Sequence, residues 1–240
     1  MKKLLTCVSL SAVMLVSSIG GVSAAEVNQD ELSSVDDGKV ITIEGDLSDP
    51  ASYVNELNSL MEDPSVMRVI VIDPSLIQEP GKTVVEQDEE GTVATRGKFY
   101  TYRVVDPTIG ANYRGSTMIA TADGTPGDDL RIAEVVKVQR TYSCSVSAVV
   151  TETITAAVGY DITASHEVTV EGKATVPSYY GGKAVERMHY NAYPVYQTTN
   201  FTVQRKLHNN GVILAPWEDC GSGYARNPIG ASFDRVYEYK

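Results

Sequence analysis

The chain has 240 residues, 31 of them acidic against 20 basic, for a net charge of −11. That length holds one large β domain or two small ones and buries a core without covalent staples; 42% hydrophobic and 21% charged residues exclude wholesale disorder and a polytopic membrane protein. An acidic excess repels polyanions, so no nucleic-acid partner is expected.

The chain begins with Lys2 and Lys3, an apolar run from Leu4 through Val16 and small residues ending Val22, Ser23, Ala24. This is the pattern of a secretory signal cut after Ala24, and the apolar run is shorter than the ~20 residues a spanning helix needs. Cys7 precedes most of that run, so no lipid anchor is expected. The two lysines suggest a bacterial signal, and the mature protein is expected to be secreted to the cell exterior.

Three segments follow from the charge pattern: a signal over 1–24, an acidic segment over 25–95 and a β domain over 96–240. Residues 26–95 hold 17 acids against Lys39, Arg68 and Lys82, a net of −14, whereas residues 96–240 are nearly balanced at +1. The acidic segment reads as a solvated face with a linker, or as a pro-segment released near Arg96 after the polar stretch Glu86 to Thr95. Within it, Val40 to Ile43 predicts a short strand. Asp49-Pro50 opens a helix to about Met61, with Tyr53, Val54, Leu57, Leu60 and Met61 at helical spacing. Met67 to Ile72 predicts a second, nearly continuous apolar strand.

From Lys98 the sequence changes to β-branched and aromatic runs, with Phe99 to Val105 a candidate strand. Asp123-Gly124 and Pro126-Gly127 mark loops. The neighbouring Asp128 and Asp129 lack the alternating oxygen ligands of a calcium loop, and no metal is expected. From Thr141 to Val176 the even positions are mostly apolar and the odd positions rich in Ser and Thr, the period of a strand. Thirty-six residues exceed the usual strand length, so the pattern predicts a long amphipathic hairpin turning at Gly159, Tyr160 and Asp161. A turn centred on Gly159 places Glu152 opposite His166, the two ionisable groups of the apolar face, as a buried pair. A plain β-sandwich with one buried sheet face gives the same alternation. Beyond Pro177, Lys183 to Gln204 resumes as β, with Tyr190, Tyr193 and Tyr196 a candidate aromatic surface or half-buried sheet residues. A last strand is expected around Phe233 to Tyr239. Asn200-Phe201-Thr202 matches a glycosylation acceptor, which a bacterial source leaves unused.

With the signal removed, Cys144 and Cys220 remain, and an even pair in an oxidising compartment predicts a disulfide. The sequence contains no HExxH, GxSxG or Walker-type loop, and neither a cofactor nor catalysis is expected.

The hydroxyl-rich alternating stretch, followed by VTVEGKATVPSYYGGKAVERMHYNAYPVYQTTNFTV, resembles the secreted aerolysin-like β-pore-forming proteins of the epsilon-toxin and mosquitocidal-toxin group. The resemblance covers residues 98–206 and is compositional rather than a fixed motif. It implies that residues 141–176 form a membrane-inserting hairpin with Pro177 at the re-entry. The fold expected is therefore mainly β, an antiparallel sheet or sandwich with a long amphipathic hairpin behind a small acidic α/β segment. The function expected is a secreted, non-enzymatic protein that binds a cell-surface or extracellular partner. The alternative is a pore former inserting 141–176 into membranes, and a homo-oligomer is compatible with either.

Overall fold

The structure is a computed structural model, described here for residues 38–88, 97–210 and 212–240. The signal, its cut after Ala24 and residues 89–96, with Arg96 and all of the expected connector but Glu86–Asp88, lie outside the described residues; Glu86–Asp88 form a short strand rather than a linker. The protein is mainly β, as expected.

The acidic segment forms its strand, helix and strand: β1 (Lys39–Glu44), α1 (Val54–Leu60) and β2 (Val66–Ile72). Asp49 accepts from the Ala51 amide and caps a single 3₁₀ turn at Pro50–Ser52 that leads into α1, so the capping signal acts one short turn before the α-helix proper. Tyr53, Leu57 and Met61 turn one face into the core. β2 pairs parallel with β1 on one side and antiparallel with the C-terminal strand on the other. It is buried along its whole length, which explains its continuous apolar run: a strand covered on both faces has no polar side to show.

The next elements are β3 (Glu86–Asp88), β4 (Lys98–Ile109), β5 (Tyr113–Arg114), β6 (Ala120–Gly124), β7 (Asp129–Gln139), β8 (Thr141–Cys144), α2 (Thr151–Val158), β9 (Ser165–Thr175) and β10 (Tyr179–Tyr180). They are followed by β11 (Lys183–Asn209), β12 (Val212–Ile213) and β13 (Glu218–Tyr239). Among the described residues eleven strands form one sheet, with the path β1-β2-β13-β11-β4-β3, and β7 with β9 forms a second. The spine is the antiparallel pair β11 and β13, in register from Val185↔Tyr239 to Arg205↔Glu218. Strands β6, β5 and β4 line the outer edge of β11 in succession, and β2 and β8 line that of β13.

The core changes side along this spine. In the first half of β11, Met188, Tyr190 and Ala192 pack with Phe233, Val69 and Val71, with Val168 and Val170 of β9, and with Tyr53 and Leu57. In the second half the opposite parity is buried: Phe201 and Val203 pack with Ile154, Ala157 and Val158 of α2 and with Tyr160 and Ile162. Because alternate residues of a strand face opposite ways, this switch leaves the even face open around Asn200 and Thr202, whereas Trp217 lies over it further along at Lys206 and Arg103.

The segment 141–176 does not form the expected hairpin. It divides into β8, which pairs with β13, then α2, then β9, which pairs with β7 over its full length. The alternation holds in β9, where Val168, Val170 and Ala174 are buried. It fails at Thr151–Val158, where Thr153, Ile154, Ala157 and Val158 are buried at helical spacing. The string TETITAAV satisfies both periods, and a short apolar run is ambiguous between them. Gln87 of the acidic segment selects the helix: its Oε1 accepts from Val150 N at 2.8 Å and Thr153 Oγ1 at 2.7 Å, and its Nε2 donates to Ala148 O at 2.7 Å. Gly159 does reverse the chain, as the left-handed cap of this helix at φ 85°, a conformation that costs glycine little. Tyr160 is buried beside it, and Asp161 is exposed, its carboxylate accepting from Thr163.

Candidate functional site

The uncovered face is built by period-2 side chains from four adjacent strands. Asn200 and Thr202 of β11 stand opposite Tyr224 and Ser222 of β13; β8 places Ser143 beside Tyr224, and β4 places Thr108 beside Asn200. Their side chains and Ser145 line an open groove of about 580 Å³, within the ~300–1,000 Å³ of small-ligand clefts. Asp106 closes one rim. It sits in a bulge where Asp106 and Pro107 together oppose Phe201, and its φ of 52° lies in the left-handed region that non-glycine residues rarely enter. Bulges and strained backbone of this kind re-aim side chains and recur beside binding sites. Gly223 lies close against Phe201: a Cβ there would collide with both the Phe201 ring and the Ser143 carbonyl oxygen.

One step along β13, on the same face, the guanidinium of Arg226 lies 3.5 Å from the Tyr113 ring centroid and 4.5 Å from that of Tyr224. Tyr196 joins the row through Tyr113 at 6.3 Å. Burial pushes the Tyr196 phenol up, Tyr113 adding to the effect and Arg226 opposing it, so Tyr196 is a neutral hydroxyl at physiological pH. The face is thus a band of hydroxyl and amide groups with the Asp106 carboxylate at its β4 edge and, further along β13, an arginine held by ring faces.

The residues singled out from sequence are distributed differently. Tyr190 is fully buried against Phe233. Tyr193 points to the other face, half-buried under the Arg114 guanidinium at 3.5 Å, and Tyr196 alone belongs to the open side. The three do not form one aromatic surface because their spacing of three residues alternates faces in a strand. Tyr224, which lines the groove, and Tyr113, which stacks on Arg226, were missed; the Tyr224-Ala225-Arg226 spacing carries the signal, since positions two apart share a face.

Glu152 and His166 do not form a buried pair. Glu152 is exposed in the first turn of α2 and His166 is half-buried on β9 opposite Val138; the helix removes the strand register that would have opposed them. The expected Cys144–Cys220 bridge is likewise absent, and both thiols are free. Cys144 pairs with Gly223 in the ladder, which puts Cys220 three residues along, roughly 10 Å at strand rise, beyond the ~7 Å Cα separation a disulfide spans. Each sulfur points to a carbonyl instead, Cys144 to Val146 and Cys220 to Val203, both at 3.5 Å. Burial raises the Cys220 pKa, which opposes thiolate formation. Among the described residues no three His, Cys, Asp or Glu side chains are grouped to hold a metal, and no helix is long and apolar enough to cross a membrane.

Comparison of the chain with protein families, curated proteins and solved structures finds no match.

Proposed function

We propose that this chain is a secreted, non-enzymatic binding protein that docks a cell-surface or extracellular saccharide on the open face of β8, β13, β11 and β4. The observation that carries the reading is the side switch of the core along β11. It leaves a groove lined by Thr108, Ser143, Ser145, Asn200, Thr202, Ser222 and Tyr224. Short hydroxyl and amide groups fixed on rigid strands match a polyhydroxylated ligand, because each offers both a donor and an acceptor. Tyr224 adds a ring face against which a sugar's C–H surface can lie. The signal-like leader supports an exterior location. The segment on which a pore-forming reading rests, residues 141–176, is built into two pairings and a helix, which favours binding over insertion.

The test is a printed array of neutral and acidic oligosaccharides probed with the full mature chain. Thr202→Arg, which fills the groove from an accessible position, should abolish the bound signal while leaving the melting temperature unchanged. An array on which the wild-type chain binds no saccharide overturns the reading.

A further inference from the structure

We infer that the saccharide bound by this face carries a carboxylate, and that Arg226 is the residue that receives it. The inference rests on the groove being the binding site, and it is carried by the position and the unspent chemistry of Arg226.

Arginines in this protein that serve structure are each committed to an acceptor. Arg68 and Arg114 both hold Asp234, Arg140 donates to Asn227 and the Asp161 carbonyl, and Arg235 donates to the carbonyls of Asp63 and Val66. Arg226 is different. Its Nε is buried with no hydrogen-bond partner, as in Arg114 and Arg235, but unlike them it makes no ion pair or hydrogen bond to any acceptor among the described residues, and what holds it in place is the pair of ring faces of Tyr113 and Tyr224. Ring stacking fixes a guanidinium without consuming its N–H donors. The side chain is nevertheless only half-buried, so a ligand can reach it from the groove that Tyr224 shares.

The chemistry follows from that arrangement. A planar, pre-oriented guanidinium matches a planar carboxylate through two parallel N–H···O bonds, and partial burial makes such a pair stronger than it would be in water. Asp106, on β4 opposite Phe201 and so between Asn200 and Thr202, repels a second acid group but accepts from sugar hydroxyls. The face therefore has a polarity: the acid group at Arg226, opposite Thr198, and hydroxyls further along β11 at Asn200, Thr202 and Asp106. This explains how a chain of net charge −11 can take an anionic ligand: the recognition is local to one arginine rather than the work of a basic field.

Four probes decide the matter with the full mature chain: lactose, sialyllactose, a glucuronate-terminated disaccharide and sulfated lactose, titrated by calorimetry. The expected result is that a carboxylated probe, sialylated or uronate, binds roughly 10- to 100-fold more tightly than lactose, the range of a charge-assisted hydrogen-bonded pair. Arg226→Gln should erase that difference, so that the carboxylated probes bind the variant no more tightly than lactose does, and Arg226→Lys should restore only part of it, because an ammonium keeps the charge and loses the fork. Equal affinity for lactose and the carboxylated probes overturns the inference and leaves the saccharide reading standing, as does a preference for the sulfated probe or an acid preference that survives Arg226→Gln. If none of the four binds and the array is blank, both fail together. Should Arg226→Gln not fold, competition on the wild-type chain decides: free glucuronate or N-acetylneuraminate must displace the acidic probe and glucose must not, and the reverse result overturns the inference.

Discussion

Asp234 compensates two arginines at once. Arg68 donates to it from Nε at 3.0 Å and from the terminal nitrogen at 2.8 Å, Arg114 reaches it at 2.8 Å, and Ser232 adds a hydroxyl donor at 2.5 Å. Both Arg68 and Asp234 are buried, and removing one partner of a buried pair leaves an uncompensated charge. Asp234→Ala is expected to cost about 3–5 kcal/mol, read as a lower urea midpoint. His189 shows the opposite regime, an exposed ion-pair network. Its Nδ1 lies 2.6 Å from Asp123 on β6 and its Nε2 3.1 Å from Glu238 on β13. The hydrogen bond to Glu238, ahead of that to Asp123, raises the histidine pKa. A pKa raised on folding means that the folded state binds the proton more tightly, so the contribution is fully present below the ordinary histidine value of about 6.5 and is lost as pH rises through the higher folded value. The melting temperature of the wild-type chain should therefore show a downward step above that range which His189→Gln lacks; identical profiles for the two proteins would rule the triad out as the cause.

At the scale of elements, α2 depends on a cap from far away in the sequence. Val150 has no capping side chain of its own, and the Gln87 amide takes that role by accepting from Val150 N and Thr153 Oγ1. Gln87→Ala should destabilise the fold by about 1–2 kcal/mol, as loss of an N-cap does, with a matching loss of hydrogen-exchange protection at residues 153–158. The same contact shows where sequence reading stops. The β1, α1, β2 unit was legible because its signals are local: Asp49-Pro50, the spacing of Tyr53, Leu57 and Met61, and the unbroken run of β2. The alternation of β9 was legible for the same reason. The helix at Thr151–Val158 was not, because a cap 63 residues away has no signature in the segment it stabilises. The site was legible in half. Ser143 belonged to the hydroxyl-rich run and Tyr196 was flagged as aromatic, but the opposition of Asn200 to Tyr224 depends on strand register, and the choice of the even face depends on α2 covering the odd one.

At the scale of the whole molecule, the acidic segment is built into the sheet by several attachments. β2 pairs with β13 from Ile72↔Gly230 to Arg68↔Asp234, and the Arg68–Asp234 pair crosses that seam. Leu47 O accepts from Thr169 N, the Tyr53 hydroxyl donates to Thr169 O and accepts from Glu171 N, and Asn58 Oδ1 accepts from Lys173 N. Together these satisfy the outer edge of β9, which would otherwise present unpaired backbone groups. Val69 and Val71 belong to the main core cluster, and Gln87 caps α2. The charge asymmetry that suggests a separable pro-segment therefore describes surface composition, whereas buried contacts decide cohesion. Limited trypsin treatment that cuts at Arg96 should yield two fragments that remain together: they should co-elute at the size of the intact chain on gel filtration under native conditions, and part only in denaturant. Removing β2 would leave the β13 edge unpaired, expose the core side chains packed on the two faces of β2 to water at roughly 25 cal/mol per Å² of apolar area exposed, and leave Asp234 without Arg68, so neither fragment has a reason to leave. A fragment starting near residue 97 that elutes alone, at its own smaller size and with an undiminished melting transition, would show that the seam with β13 does not hold the molecule together.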